Sequence, residues 1–164
     1  METRQITLEP LTREAFQPFG DVLEAAGEPD MIINEGKCGR FHDLARLDYA
    51  DQGGRAGINI FRSQARPLPY SFQLMERHPL GSQAFMPMSA DPFLVIVAPD
   101  AGGRPGLPRA FKSAPFQGVN YLRGTWHGVL APLVEAAEFL VVDRIGGGDN
   151  LEEYTFDAPY TVIG

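Results

Sequence analysis

Glu76, His78, Gln83 and His127 are the residues of this chain whose types and spacing could carry chemistry. Strand side chains alternate with a period of two, so a carboxylate and an imidazole two positions apart project to one face. Gln83 follows five residues after His78, where a returning strand would bring it alongside. His127, within Gly118-x5-Gly124-x2-His127, supplies a fourth polar group. Such a set facing into a barrel can work in two ways. Two imidazoles, a carboxylate and an amide oxygen could hold a divalent ion such as Mn, Ni or Zn, although an amide is a poor ligand and three His would be the stronger set. Without an ion, Glu76 and His127 form an acid–base pair whose pKa values burial would shift. A plainer account also fits: Glu76 and His78 as a surface ion pair at a strand end, and His127 as a core histidine.

The strand that carries Glu76 and His78 places Tyr70, Phe72 and Leu74 on the same face, an apolar floor beneath an ionisable mouth. Ser71, Gln73, Met75 and Arg77 occupy the other face. Positioning four such side chains takes many short strands, and the composition is suited to that. The chain has 18 Gly and 14 Pro among 164 residues, with 44% hydrophobic and 21% charged residues. The Gly/Pro excess has no period and no low-complexity block, which excludes collagen and argues against disorder. Turns between short buried segments are left, hence an all-β fold with few short helices, a sandwich or closed barrel. Strands are expected over Arg4–Glu9, Asp21–Ala25, Met31–Ile33, Gly57–Arg62, Pro69–His78, Gln83–Met86 and Phe93–Ala98. Further strands follow at Ala110–Lys112, Val119–Leu122, Gly128–Ala131, Phe139–Asp143, Tyr154–Phe156 and Tyr160–Ile163. Thr12 is placed to cap a short helix that Pro18 and Gly20 end. No linker divides residues 1–164, so one domain is expected.

The net charge of −7, with no Lys/Arg run, speaks against nucleic acid as a partner. The longest apolar run, Phe93–Ala98, is far short of the roughly 20 residues of a spanning helix. The polar start, Met1 to Gln5, and the single cysteine, Cys38, fit a cytoplasmic protein. Gly146-Gly147-Gly148 lacks a strand-to-helix context and reads as a turn, not a phosphate loop.

The spacing of the four polar residues resembles the two motifs of the cupin superfamily, with Glu76 standing for the first His and Gln83 for the Glu. Leu122 and Ala131 depart from the usual Pro and Asn, which bears on the metal. The longer strings are more specific. Asn59-Ile60-Phe61-Arg62, Met75-Glu76-Arg77-His78-Pro79, Ser82-Gln83-Ala84-Phe85, Gly124-Thr125-Trp126-His127 and Val141-Val142-Asp143-Arg144, in this order, resemble the ureidoglycolate lyase family. Phe16-Gln17-Pro18-Phe19-Gly20 and Arg40-Phe41-His42-Asp43 fit it as well.

The resemblance implies a cupin-like β-barrel or jelly-roll sandwich, a homodimer, and elimination of urea from ureidoglycolate to give glyoxylate. On that substrate His127 is the leading base, with Glu76 and His78 as relay partners or metal ligands. Arg62, with strand-mates Ile58 and Ile60, is expected to point inward and take the substrate carboxylate through its bidentate fork. Gln83 and Tyr121 would bond the ureido group, and Phe85 and Trp126 would close the pocket. Asp143 and Arg144 read as members of ion pairs elsewhere. Lys112 and Arg40 are weaker candidates, and His42 is a structural residue or lies near a subunit contact. Two other readings stand beside this one: a non-catalytic cupin module binding a small oxo-acid, and a metal-dependent cupin enzyme acting on another small substrate.

Overall fold

In the computed structural model, which describes residues 4–164, all six residues of the strand Phe93–Ala98 are buried. Phe93, Val95 and Val97 join an apolar cluster with Phe16, Phe85, Val119, Phe139 and Val141. Leu94, Ile96 and Ala98 join a second cluster with Phe72, Met75, Trp126, Phe156 and Val162. A strand that is apolar at every position is covered on both faces, and this one lies in the middle of the architecture.

Two sheets form the barrel. The larger runs Arg4–Thr7, Glu152–Ile163, Tyr70–Arg77, Trp126–His127, Phe93–Ala98, Arg109–Lys112 and Glu9–Pro10, with Ala131–Pro132 also paired to Phe93–Ala98. The smaller runs Gly20–Leu23, Gly118–Tyr121, Gln83–Pro87, Ala137–Ile145 and Arg55–Ser63. The first apolar cluster draws on both sheets and fills the space between them; the second draws on strands of the larger sheet and on Leu133 just after one of them. The fold is all-β and cupin-like, as expected, with the helix Arg13–Phe16 reduced to four residues. Thr12 caps that helix, its hydroxyl accepting from the Ala15 N–H at 3.2 Å. No helix among the described residues is long and apolar enough to cross a membrane. Met1–Thr3, the start of the polar N-terminal stretch, lie outside the described residues.

Several expected elements differ. The strand expected at Gly128–Ala131 is replaced by two short strands on either side, Trp126–His127 and Ala131–Pro132. Tyr154–Phe156 and Tyr160–Ile163 are parts of one strand, Glu152–Ile163, whose register against Tyr70–Arg77 shifts between Thr155 and Tyr160. Strand Cys38–Arg40, not anticipated, pairs with Met31–Ile33 as a separate hairpin. The apolar floor of Tyr70, Phe72 and Leu74 beneath Glu76 also needs correction. Phe72 and Met75 enter the same cluster, so simple alternation does not hold across that stretch.

Trp126 is the only tryptophan, 2% exposed, and its indole N–H donates to the Asp100 carboxylate at 3.0 Å. The Arg77 guanidinium lies 4.5 Å from the centre of the ring and 3.0 Å from the same carboxylate. The indole bond first, then the Gly103 N–H and Arg77, hold the Asp100 carboxyl below its ordinary range. A carboxyl depressed in the folded state stabilises fully above its unfolded pKa, and that contribution is lost as pH falls through the folded value. Acidification below about pH 4 should therefore release the indole and shift Trp126 fluorescence. In Asp100→Asn that step should vanish; an identical acid step in the variant would assign it to other groups.

Candidate active site

His127 lies directly opposite Glu76 in the antiparallel pairing of Trp126–His127 with Tyr70–Arg77. Directly opposed residues project to the same face with Cβ atoms about 4.5–5.5 Å apart. From the other sheet, Gln83 lies opposite Tyr121 on one neighbour and Asp143 on the other. Glu76, Gln83, Tyr121 and His127 line one pocket of about 360 Å³, walled by Phe61, Phe85, Leu94 and Leu130. Phe85 sits edge-on to both Phe61 and Tyr121, with ring centres 5.8 Å away in each case. His78 stands beside the pocket, its ring centre 5.1 Å from that of His127.

The chemistry of this cluster is set by hydrogen bonds on its far side. A carbonyl oxygen only accepts, so the His127 Nδ1 must carry the proton it gives to the Gly128 oxygen at 3.0 Å. The His78 Nδ1 likewise donates to the Asn150 oxygen at 2.8 Å. Each ring thus commits its Nδ1 to a backbone carbonyl and leaves its Nε2 buried without a partner. The Gln83 Oε1 is buried and unpartnered as well. Tyr121 stacks on His127 with ring centres 4.4 Å apart and planes 2° from parallel. Burial first, then the neighbouring His78, pulls His127 down to about 3, so the ring is neutral at working pH. Burial raises the Glu76 carboxyl above its ordinary value, partly offset by His78. Burial also raises the Tyr121 phenol, with Glu76 adding to the effect, so Tyr121 keeps its proton and can donate.

Two buried Nε2 atoms without partners thus meet the Glu76 carboxyl, an arrangement a cation would satisfy. Glu76, His78 and His127 each offer one ligand atom within 4.8 Å of the others, which fits a divalent metal. Gln83 would be a weak fourth ligand, because an amide oxygen is neutral.

Other expected residues sit differently. Arg62 was expected to point inward with Ile58 and Ile60, but those two are 74% and 52% exposed. The Arg62 side chain is itself 78% exposed and pairs with Glu138 at 3.4 Å. The edge strand turns Asn59 and Phe61 inward instead, so Arg62 reaches only the pocket rim. Trp126 does not close the pocket. On a strand of two residues only one can face the interior, and pairing with Glu76 gives that place to His127; Trp126 packs in the second cluster. Lys112 and Arg40 lie outside the pocket, and His42 lines a separate hollow with Asp21 and Asp30. Arg144 forms no ion pair among the described residues and bonds backbone carbonyls instead. Arg66, which no sequence pattern singles out, joins Arg62 at the rim. It follows the edge strand in a loop where no periodicity marks direction.

Comparison with known proteins gives a consistent result. The family model for ureidoglycolate lyase matches residues 3–163. A ureidoglycolate lyase of Chelativorans sp. is 55% identical over 97% of this chain and 96% of that protein. One of Rhodobacter capsulatus is 58% identical over 98% of this chain and 99% of that protein. A protein of Rhizobium meliloti called ureidoglycolate lyase 2 is 47% identical over 96% of each.

Proposed function

The chain belongs to the ureidoglycolate lyase family, and from this premise we propose that its barrel pocket eliminates urea from ureidoglycolate to give glyoxylate. The observation that carries the assignment of roles is the meeting of Glu76, whose carboxyl burial raises, with the neutral His127 and the unpaired Gln83 oxygen in one small pocket.

In the substrate one carbon bears a hydroxyl, a carboxylate and the ureido nitrogen. The hydroxyl proton leaves, its electrons form the C=O of glyoxylate, the C–N bond breaks, and the departing nitrogen takes a proton. Glu76 takes the hydroxyl proton and returns it to the nitrogen, so the protein ends each cycle unchanged. Its raised pKa brings it closer to the strength such a shuttle needs. His127, once the leading base, is too weakly basic for that task and serves as an acceptor that orients the reacting groups. Tyr121 donates to the ureido carbonyl, and Gln83 accepts from a ureido N–H. Arg62 and Arg66 at the rim attract the carboxylate. A divalent cation held by His78, His127 and Glu76 would supply Lewis-acid polarisation of the substrate oxygen.

The protein is proposed to work as a homodimer in the cytoplasm. The edge strand Arg55–Ser63 supports the dimer, because it is paired on one side only and exposes Ile58 and Ile60, a surface that invites covering. The lone Cys38, which can form no disulfide within the chain, supports the location.

Incubation with ureidoglycolate should yield glyoxylate and urea in equal amounts. Ammonia and carbon dioxide in place of urea would make the enzyme an amidohydrolase and overturn the proposal. The acceptor cluster further predicts that chelation lowers turnover and that Mn, Ni or Zn restores it; indifference to chelation would leave the work to the side chains alone.

A further inference from the structure

Asp143 lies directly opposite Gln83 on the neighbouring strand. Its carboxylate accepts from the Gln83 Nε2 at 3.1 Å and from the Asn59 Nδ2 at 2.9 Å, one on each oxygen. An ionised carboxylate only accepts, so only the NH₂ end of the Gln83 amide can face it. The opposite end, Oε1, is thereby turned away; it is buried and has no partner, on a residue that is 7% exposed. Without Asp143 the two ends of an amide are nearly equivalent in shape, and Gln83 could present either one.

Resting on the lyase reading above, we propose that Asp143 is a positioning residue that locks Gln83 as a hydrogen-bond acceptor and so selects the ureido N–H of the substrate. A buried acceptor without a partner discriminates strongly, because a ligand lacking the matching donor leaves it unpaired. Of the groups on ureidoglycolate, the carboxylate only accepts, and the hydroxyl must surrender its proton during the reaction. The ureido nitrogens alone offer N–H donors throughout binding. Asn59 holds the second oxygen of Asp143 and keeps that carboxylate from turning toward the pocket.

The test compares two inhibitors of ureidoglycolate turnover in wild type and in Asp143→Asn, which is close to isosteric. Oxalurate carries the ureido arm on a carbonyl carbon; glycolate carries the hydroxy acid without it. Asp143→Asn should weaken oxalurate inhibition about tenfold and leave glycolate inhibition within about twofold. The Michaelis constant for ureidoglycolate should rise more than kcat falls. Asn59→Ala, which keeps the Asp143–Gln83 bond but loosens it, should show the same selectivity at smaller size, and it stands in if Asp143→Asn does not fold. Undiminished oxalurate inhibition in a folded variant, or equal loss of both inhibitors, would overturn the role of Asp143 while the lyase reading stands. Absence of wild-type turnover would overturn that reading and this inference with it.

Discussion

Glu76→Gln should lower kcat by about 10²–10⁴-fold, the range expected when a positioned acid–base group is removed. Gln is nearly the same size as Glu and keeps the hydrogen-bonding capacity opposite His127, so the loss would be one of proton transfer. The same substitution should not destabilise the fold. Burial raises the Glu76 carboxyl, so the folded state disfavours its ionised form. That cost is absent below the unfolded pKa and grows as pH rises toward the folded value. A neutral Gln removes it, and the melting temperature at pH 7 should hold steady or rise. Loss of rate with retained or improved stability separates a catalytic role from a folding role. Steady-state kinetics and thermal melts on one preparation read both, and wild-type kcat in the variant would remove Glu76 from the reaction.

Arg144→Met should cost about 3 kcal/mol of stability, a fall in melting temperature of roughly 6–12 °C for a chain this long. Arg144 is 7% exposed and has no carboxylate partner among the described residues. Its guanidinium donates to the carbonyls of Asp51, Gln52 and Gly147, joining the turn before the edge strand to the glycine turn after Ala137–Ile145. Glycines make room for it. A Cβ on Gly54 would lie 2.2 Å from the Arg144 Nε, and one on Gly81 would lie 2.9 Å from its Cβ. Met keeps much of the bulk and loses every donor, leaving the Gln52 and Gly147 carbonyls without this partner and the Asp51 carbonyl with the Gly54 N–H alone. Arg144→Lys should recover only part, since an ammonium lacks the planar fork that spans separate acceptors. Calorimetry of the variants decides the matter, and a shift below about 2 °C for Arg144→Met would show the turns hold without it.

The fold was legible where the sequence pattern is local. Phe93–Ala98 is apolar at every position and proved to be the doubly covered strand. Thr12 before Arg13-Glu14-Ala15 proved to be the cap. Both depend on neighbours within a few residues. Glu76, Gln83 and His127 could be proposed together because their spacing matches strands that return on one another. What failed depends on which side of a strand faces the interior. Along Asn59-Ile60-Phe61-Arg62 both alternating sets contain apolar residues, so periodicity gives no parity. The bond from Asn59 to Asp143 across the sheet shows which set is inside. Register decided Trp126 against His127 in the same way. Arg66 and the Gln83–Asp143 contact were out of reach because a loop direction and a cross-strand amide orientation leave no local trace.

The division of the pocket between the sheets also bears on quality control. Glu76 and His127 belong to the larger sheet, Gln83 and Tyr121 to the smaller. Neither sheet holds a working half, so a chain that has folded only one of them would have no residual turnover. Specific activity in a preparation therefore counts fully assembled molecules, and misfolded ones are silent instead of slow.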